Sequence, residues 1–238
     1  MNISIRKISA IAGLKLKIFS RNTYYIMSPF LVILLGLIFG YFFKGAVPGY
    51  SFIMTVGFNI SMVGISLTAA MVAEEKEKHT LRALMTSSIT GGDYLLGSAL
   101  IPFLVMLITA LVTPLVTQFS YSNINIPMYL LLNIIGIISM ILIGFIFGIF
   151  GKSQAHVSTT TMPIIMVLVM LPTFSMFSEF IGKISMLTIS GVMDSYLNGM
   201  IENINYALST KDWIVLAAWV IIPAIIFIYV YRKNGIDE

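Results

Sequence analysis

The sequence predicts an all-α integral membrane protein with six transmembrane helices, and three observations carry that reading. Hydrophobic residues make up 58% of the 238 positions and charged residues only 10%, where a soluble domain carries about 25% charged residues. Six stretches approach the roughly 20 apolar residues that a spanning helix needs. None of the six has Asp, Glu, Lys, Arg or His in its interior, and a charge at mid-bilayer costs on the order of 3 kcal/mol. Cysteine is absent, which excludes disulfide frameworks, thiolate metal sites and cysteine nucleophiles. The net charge is +4, but the basic residues flank apolar spans and form no separate basic domain, so nucleic acid is not an expected partner.

Residues 1–23 predict an interfacial amphipathic helix. Arg6, Lys17 and Arg21 share one helical face, Ile8, Ile11, Ala12 and Phe19 the other, and Lys15 intrudes on the apolar side. The basic start is long, the apolar run behind it is of span length and no small-x-small cleavage site follows, so the first span is read as retained. The six-span body covers 24–231, with spans at 24–43, 50–73, 94–118, 128–150, 157–178 and 213–231. Prolines 102, 114, 163, 172 and 223 fall inside spans, where neighbouring helices re-satisfy the freed carbonyls. An even span count puts both termini on one side. That side holds eleven Lys and Arg residues against three on the other, which predicts cytoplasmic termini, including the tail 232–238. Tyr24, Tyr25, Trp213, Tyr229 and Tyr231 stand near span ends, as an interfacial belt would. In the external segment 179–212, Ile189, Met193, Tyr196, Leu197, Met200 and Ile204 recur at helical spacing. They predict a short helix that dips into the outer leaflet or packs over the bundle.

Motifs for chemistry fail on spacing or context. "GIFGKS" (Gly148–Ser153) resembles the end of a phosphate-binding loop, but Ile146 stands where the full pattern has glycine, and a span precedes it instead of a strand. "EEKEKH" (Glu74–His79) resembles part of an intramembrane glutamate protease, with the arginine misplaced and His156 as the one further histidine. Two distant histidines with no cysteine and no buried carboxylate make a poor metal site. No catalytic residue, metal or cofactor is therefore expected in this chain. An ion-coupled secondary carrier or channel is the alternative. Asn59, Ser61, Ser66 and Thr68 polarise span 2, but no ionisable group lies inside a span and no matched broken helices are evident. Asn59, Ser66 and Thr68, with Thr159, Met162 and Phe174 of span 5, are the candidates for lining a translocation path.

The region 74–93 is the densest charge cluster. Glu74–Lys78 carry span 2 into water, and Thr80 can cap a short helix with Leu81, Leu84 and Met85 as an apolar stripe and Ile89 a turn further. Gly91 and Gly92 then permit a tight turn, and Asp93 can cap span 3. An apolar stripe at a wet surface needs a partner, either the membrane surface or another protein.

The stretch "EEKEKHTLRALMTSSITGGDYLLGSAL" resembles the cytoplasmic signature of type-2 ABC-transporter permeases. Glu74, Glu75, Lys76, Glu77, Thr80, Leu81, Leu84, Met85, Thr86, Ser87, Ile89, Thr90 and Asp93 fit that pattern, whereas His79, Arg82, Ser88, Gly91-Gly92 and Ser98-Ala99 depart from it. The resemblance implies one membrane subunit of a dimer, formed with a second copy or a paralogue, that docks on a separate ABC ATPase holding ATP and Mg. Glu77, Thr80, Leu81, Leu84, Met85, Thr86, Ser87, Ser88 and Ile89 would form the ATPase-docking coupling helix. Glu74 and Glu75, with Arg6, Lys17 and Arg21, would be gate or ion-pair residues beside membrane lipid. Small chains of this type resemble exporters or immunity proteins for amphipathic peptides, such as bacteriocins or phenol-soluble modulins, with efflux of hydrophobic compounds behind that expectation.

Overall fold

The computed structural model describes residues 4–43, 49–78, 80 and 89–234, and every regular element among them is helical. In chain order they are α1 (Ile5–Arg21), α2 (Thr23–Phe42), α3 (Tyr50–Phe58), α4 (Gly64–Glu77), α5 (Gly91–Val116), α6 (Ile126–Phe150), α7 (Gln154–Phe174), α8 (Glu179–Ser185), α9 (Ile189–Glu202) and α10 (Thr210–Asn234). Polar side chains start most of the long ones by taking up N–H groups that the first turn leaves free. Asn22 accepts from the Tyr24 N–H to open α2, Asn125 from Met128 for α6, Ser153 from His156 for α7, and Thr188 from Gly191 for α9.

Six helical stretches are long and apolar enough to cross a membrane: α2, the continuous run Tyr50–Glu77, α5, α6, α7 with the turn that follows it, and α10. In the second span α3 passes into α4 through a π-helical turn at Asn59–Val63. This span is the central pillar, with 78% of its apolar window buried, against 33% for α2 and 22% for both α7 and α10. Proline lies inside α2 at Pro29 as well as at the positions read from the sequence, and Pro29 is buried.

Packing around the pillar depends on missing side chains. A Cβ added at Gly144 of α6 would lie 2.7 Å from Thr68 Cβ and 3.0 Å from the Ile65 carbonyl oxygen, and one at Gly148 would lie 2.6 Å from Val72 Cβ. The two backbones meet there as small-residue helix pairs do in membranes. Gly144→Leu is therefore expected to lower the thermal midpoint of the detergent-solubilised protein, since overpacking costs about 1–3 kcal/mol. An unchanged midpoint would mean that α4 and α6 separate freely.

Three local expectations are corrected. Thr90, not Asp93, is the N-cap of α5. Its hydroxyl accepts from the Asp93 N–H while the Asp93 carboxylate takes the Thr90 N–H, a reciprocal capping box. Gly91 and Gly92 are consequently the first residues of the helix and not a turn before it. Gly91 is needed for contact, since a Cβ there would fall 2.1 Å from the Tyr231 hydroxyl. At the opposite end of the bundle, α9 buries Ile189, Met193, Tyr196, Leu197 and Met200 against α3, α7 and α10. Ile204 does not join them: it lies past the helix end and is 40% exposed.

Candidate functional site

Charged residues at consecutive helical positions point about 100° apart, so Glu74–Glu77 at the end of α4, with Lys78 after them, can address every neighbour at once. Glu75 faces α1 and α5. It forms an ion pair with Lys15 Nζ at 2.8 Å and accepts the Tyr94 hydroxyl at 2.6 Å. The Lys15 ammonium also stands 5.5 Å from the Tyr94 ring centre. Lys15 is 0% exposed and Glu75 is 3% exposed. Burial holds the Lys15 amine below its ordinary range, and the Glu75 carboxylate opposes that shift.

Glu74 faces α2, accepting from the Tyr25 hydroxyl and from Asn22 Nδ2 at 3.4 Å, and it forms an ion pair with Lys78. Lys76 donates to the Ile149 carbonyl in the last turn of α6, the negative end of that helix dipole. Glu77 accepts the Gln154 backbone N–H at 3.1 Å, at the first residue of α7, where N–H groups are free. The end of α4 is thus tied to α1, α2, α5, α6 and α7. Thr80 continues the tie by donating to the Glu75 carbonyl at 3.2 Å.

A second carboxylate joins α1 to α5. Asp93 Oδ2 accepts from the Thr90 N–H and hydroxyl at 3.2 and 2.8 Å, while Oδ1 accepts the Ser4 N–H at 2.8 Å, just before α1. Between this contact and Lys15, α1 lies so close to α5 that a Cβ on Gly97 would be 2.7 Å from Ile11 Cβ. The polar face of α1 opens on a cleft of about 660 Å³, where Lys17 and Arg21 meet Glu74 and Lys78.

The sequence-derived candidates fall in three places. Leu81, Leu84, Met85, Thr86, Ser87 and Ser88 lie outside the described residues; Glu77, Thr80 and Ile89 flank them. Among the described residues, Glu74 and Glu75 pair with Lys78 and Lys15, not with Arg6, Lys17 or Arg21. Asn59 and Thr68 are buried, Asn59 donating to the Met106 carbonyl of α5 at 3.0 Å, and Ser66 is half-buried, 3.3 Å from Ser28 of α2. Thr159, Met162 and Phe174 lie on the open face of α7, so the six are not brought to one surface.

Buried carboxylates are present, contrary to the sequence reading, and Tyr25 is no belt residue: it is 0% exposed because Glu74 takes its hydroxyl. Lys15 and Tyr94 were missed as partners, although Lys15 had a visible signal as the one cation on the apolar face of α1. Among the described residues no three His, Asp or Glu side chains converge as a metal site would.

Compared with known proteins, the chain matches no curated relative. Residues 49–230 match a family model described as ABC-2 family transporter protein. That match spans the run from α3 to α10 and includes the charged end of α4; the chain belongs to the ABC-2 family and is a membrane subunit of an ABC transporter.

Proposed function

We propose that this subunit is half of an ATP-driven exporter of amphipathic peptides, docking a separate ATPase through residues 77–89 with both termini in the cytoplasm of a bacterial cell. The observation that carries the reading is the tie between the end of α4 and five neighbouring helices, immediately before that segment. A push on a loose loop would dissipate. A push on a segment that continues a pinned helix end moves α1, α2, α5, α6 and α7 together. ATP and Mg belong to the ATPase, and this chain contributes no nucleotide site.

The uneven burial of the spans supports dimerisation. Both α2 and α7 leave most of their apolar windows uncovered, and they meet through a 2.5 Å contact between the Tyr24 hydroxyl and Ser158. The open side of α7 carries Thr159 and Thr160, polar groups better placed against another helix than against lipid tails. A second copy or a paralogue would cover these faces, with anionic lipid beside Lys17 and Arg21.

The test is isolation of the tagged chain from its native membrane. An ATPase with an intact phosphate-binding loop is expected to co-purify, and ATP is expected to drive peptide transport in liposomes. Transport by the chain alone under an ion gradient would overturn the reading.

A further inference from the structure

The end of the bundle opposite the α4 knot holds a carboxylate that no cation among the described residues pairs with. Asp194 of α9 borders a crevice of about 20 Å³ walled by Met54 and Gly57 of the second span and by Val169 and Thr173 of α7. Asp194 is itself half-buried, and the buried carboxylates among the described residues are all committed. Glu75 has Lys15, Glu74 has Lys78, Asp93 closes the α5 cap, and Asp212 accepts the Ser209 N–H and hydroxyl at 2.9 and 2.7 Å before α10. Asp194 has only the Asn198 amide of its own helix, at 3.1 Å, and forms no ion pair among the described residues. The nearby helices carry Lys183 and Lys211, but both are exposed. Burial pushes the Asp194 carboxyl up to about 6, so at neutral pH it is ionised against a desolvation penalty.

The dimensions of the crevice select what can relieve that penalty. It has room for about one water-sized group, since a water needs roughly 10–15 Å³ of such space. A primary ammonium is that size, whereas a guanidinium is a broad planar fork. The soft side chains of Met54 and Met193 can pack along the methylenes behind an ammonium, and the Ser190 and Thr173 hydroxyls stand beside it.

We propose that Asp194 recognises a primary ammonium on the exported chain at the outer end of the groove between the second and fifth spans, so that the substrates are lysine-bearing amphipathic peptides. The inference rests on the export reading above and gives it a charge class.

The test uses the complex with its co-purified ATPase in liposomes. The probes are an 18-residue Leu/Lys amphipathic peptide and the Leu/Gln peptide of the same pattern. Wild-type ATPase is expected to respond to the Lys peptide, and Asp194→Asn to raise the half-stimulating concentration roughly tenfold, the loss of about 1.4 kcal/mol. Basal ATPase should stay unchanged, Asp194→Glu should recover much of the response, and the Gln peptide should respond weakly and equally in all forms. Equal responses of wild type and Asp194→Asn to the Lys peptide would overturn the inference, as would a Gln peptide as potent as the Lys peptide. Asp194-dependent stimulation by NaCl or KCl alone would also overturn it, assigning the crevice to a free cation. A complex with basal ATPase that neither peptide stimulates rejects the ammonium site but spares the docking reading; failure of any ATPase to co-purify rejects both.

Discussion

Replacing Lys15 by alanine is expected to destabilise the protein by about 3–5 kcal/mol, because it strands Glu75 as an unpaired charge in the packed end of the bundle. The site is buried on both sides of the pair, so water cannot replace the ammonium without opening α1 from α5. Deleting the long side chain also leaves a void beside Ile11 and Tyr94. The companion variant Lys15→Met with Glu75→Gln should regain most of the loss. Methionine fills the volume, and glutamine still accepts the Tyr94 hydroxyl without a net charge. Such neutral replacements of buried pairs are often as stable as the original. Thermal unfolding in detergent reads all three proteins. A Lys15→Ala protein as stable as wild type would show that α1 is not pinned by this pair, and the tie between α1 and the end of α4 would lose its central contact.

The same residue shows what the sequence could and could not disclose. Apolar runs are a one-dimensional property, so the six spans were legible from hydropathy alone, and the hydrophobic periodicity of α9 was legible from Ile189 to Met200. Lys15 was visible as a fault in the stripe of α1. The fault could not name Glu75, because that requires knowing that α1 lies along α5 and beside α4. Tyr25 illustrates the converse: its place at a span end fits a lipid belt equally well, and only the approach of Glu74 turns it inward. Gly91 and Gly92 misled because glycine pairs are turn formers in general. Here Thr90 and Asp93 outweigh that tendency by closing a capping box, and Tyr231 occupies the space where a side chain would be. The π turn at Asn59–Val63 had no sequence signal; it arises where Asn59 reaches across to the Met106 carbonyl. Asp194 was equally silent, as one acid on a short external helix, until α9 proved to be packed against three spans.

Leu84→Asp is expected to abolish ATPase co-purification while leaving membrane insertion and thermal stability unchanged. The argument is one of interfaces. An apolar stripe of Leu81, Leu84 and Met85 seated in an ATPase groove would concentrate its binding energy in a few side chains, each worth about 2 kcal/mol or more. A carboxylate in the centre of that groove adds a desolvation penalty to the lost contact, and a 2 kcal/mol deficit already weakens binding by about 30-fold. Lys15→Ala could also reduce co-purification, but through loss of the fold, and its lowered unfolding midpoint would reveal that. The Lys15→Met, Glu75→Gln protein separates the two effects from the other direction: it should unfold like wild type and still retain the ATPase. Retention of the ATPase by Leu84→Asp would remove the docking role from this stripe and leave the charged end of α4 as a structural tie alone.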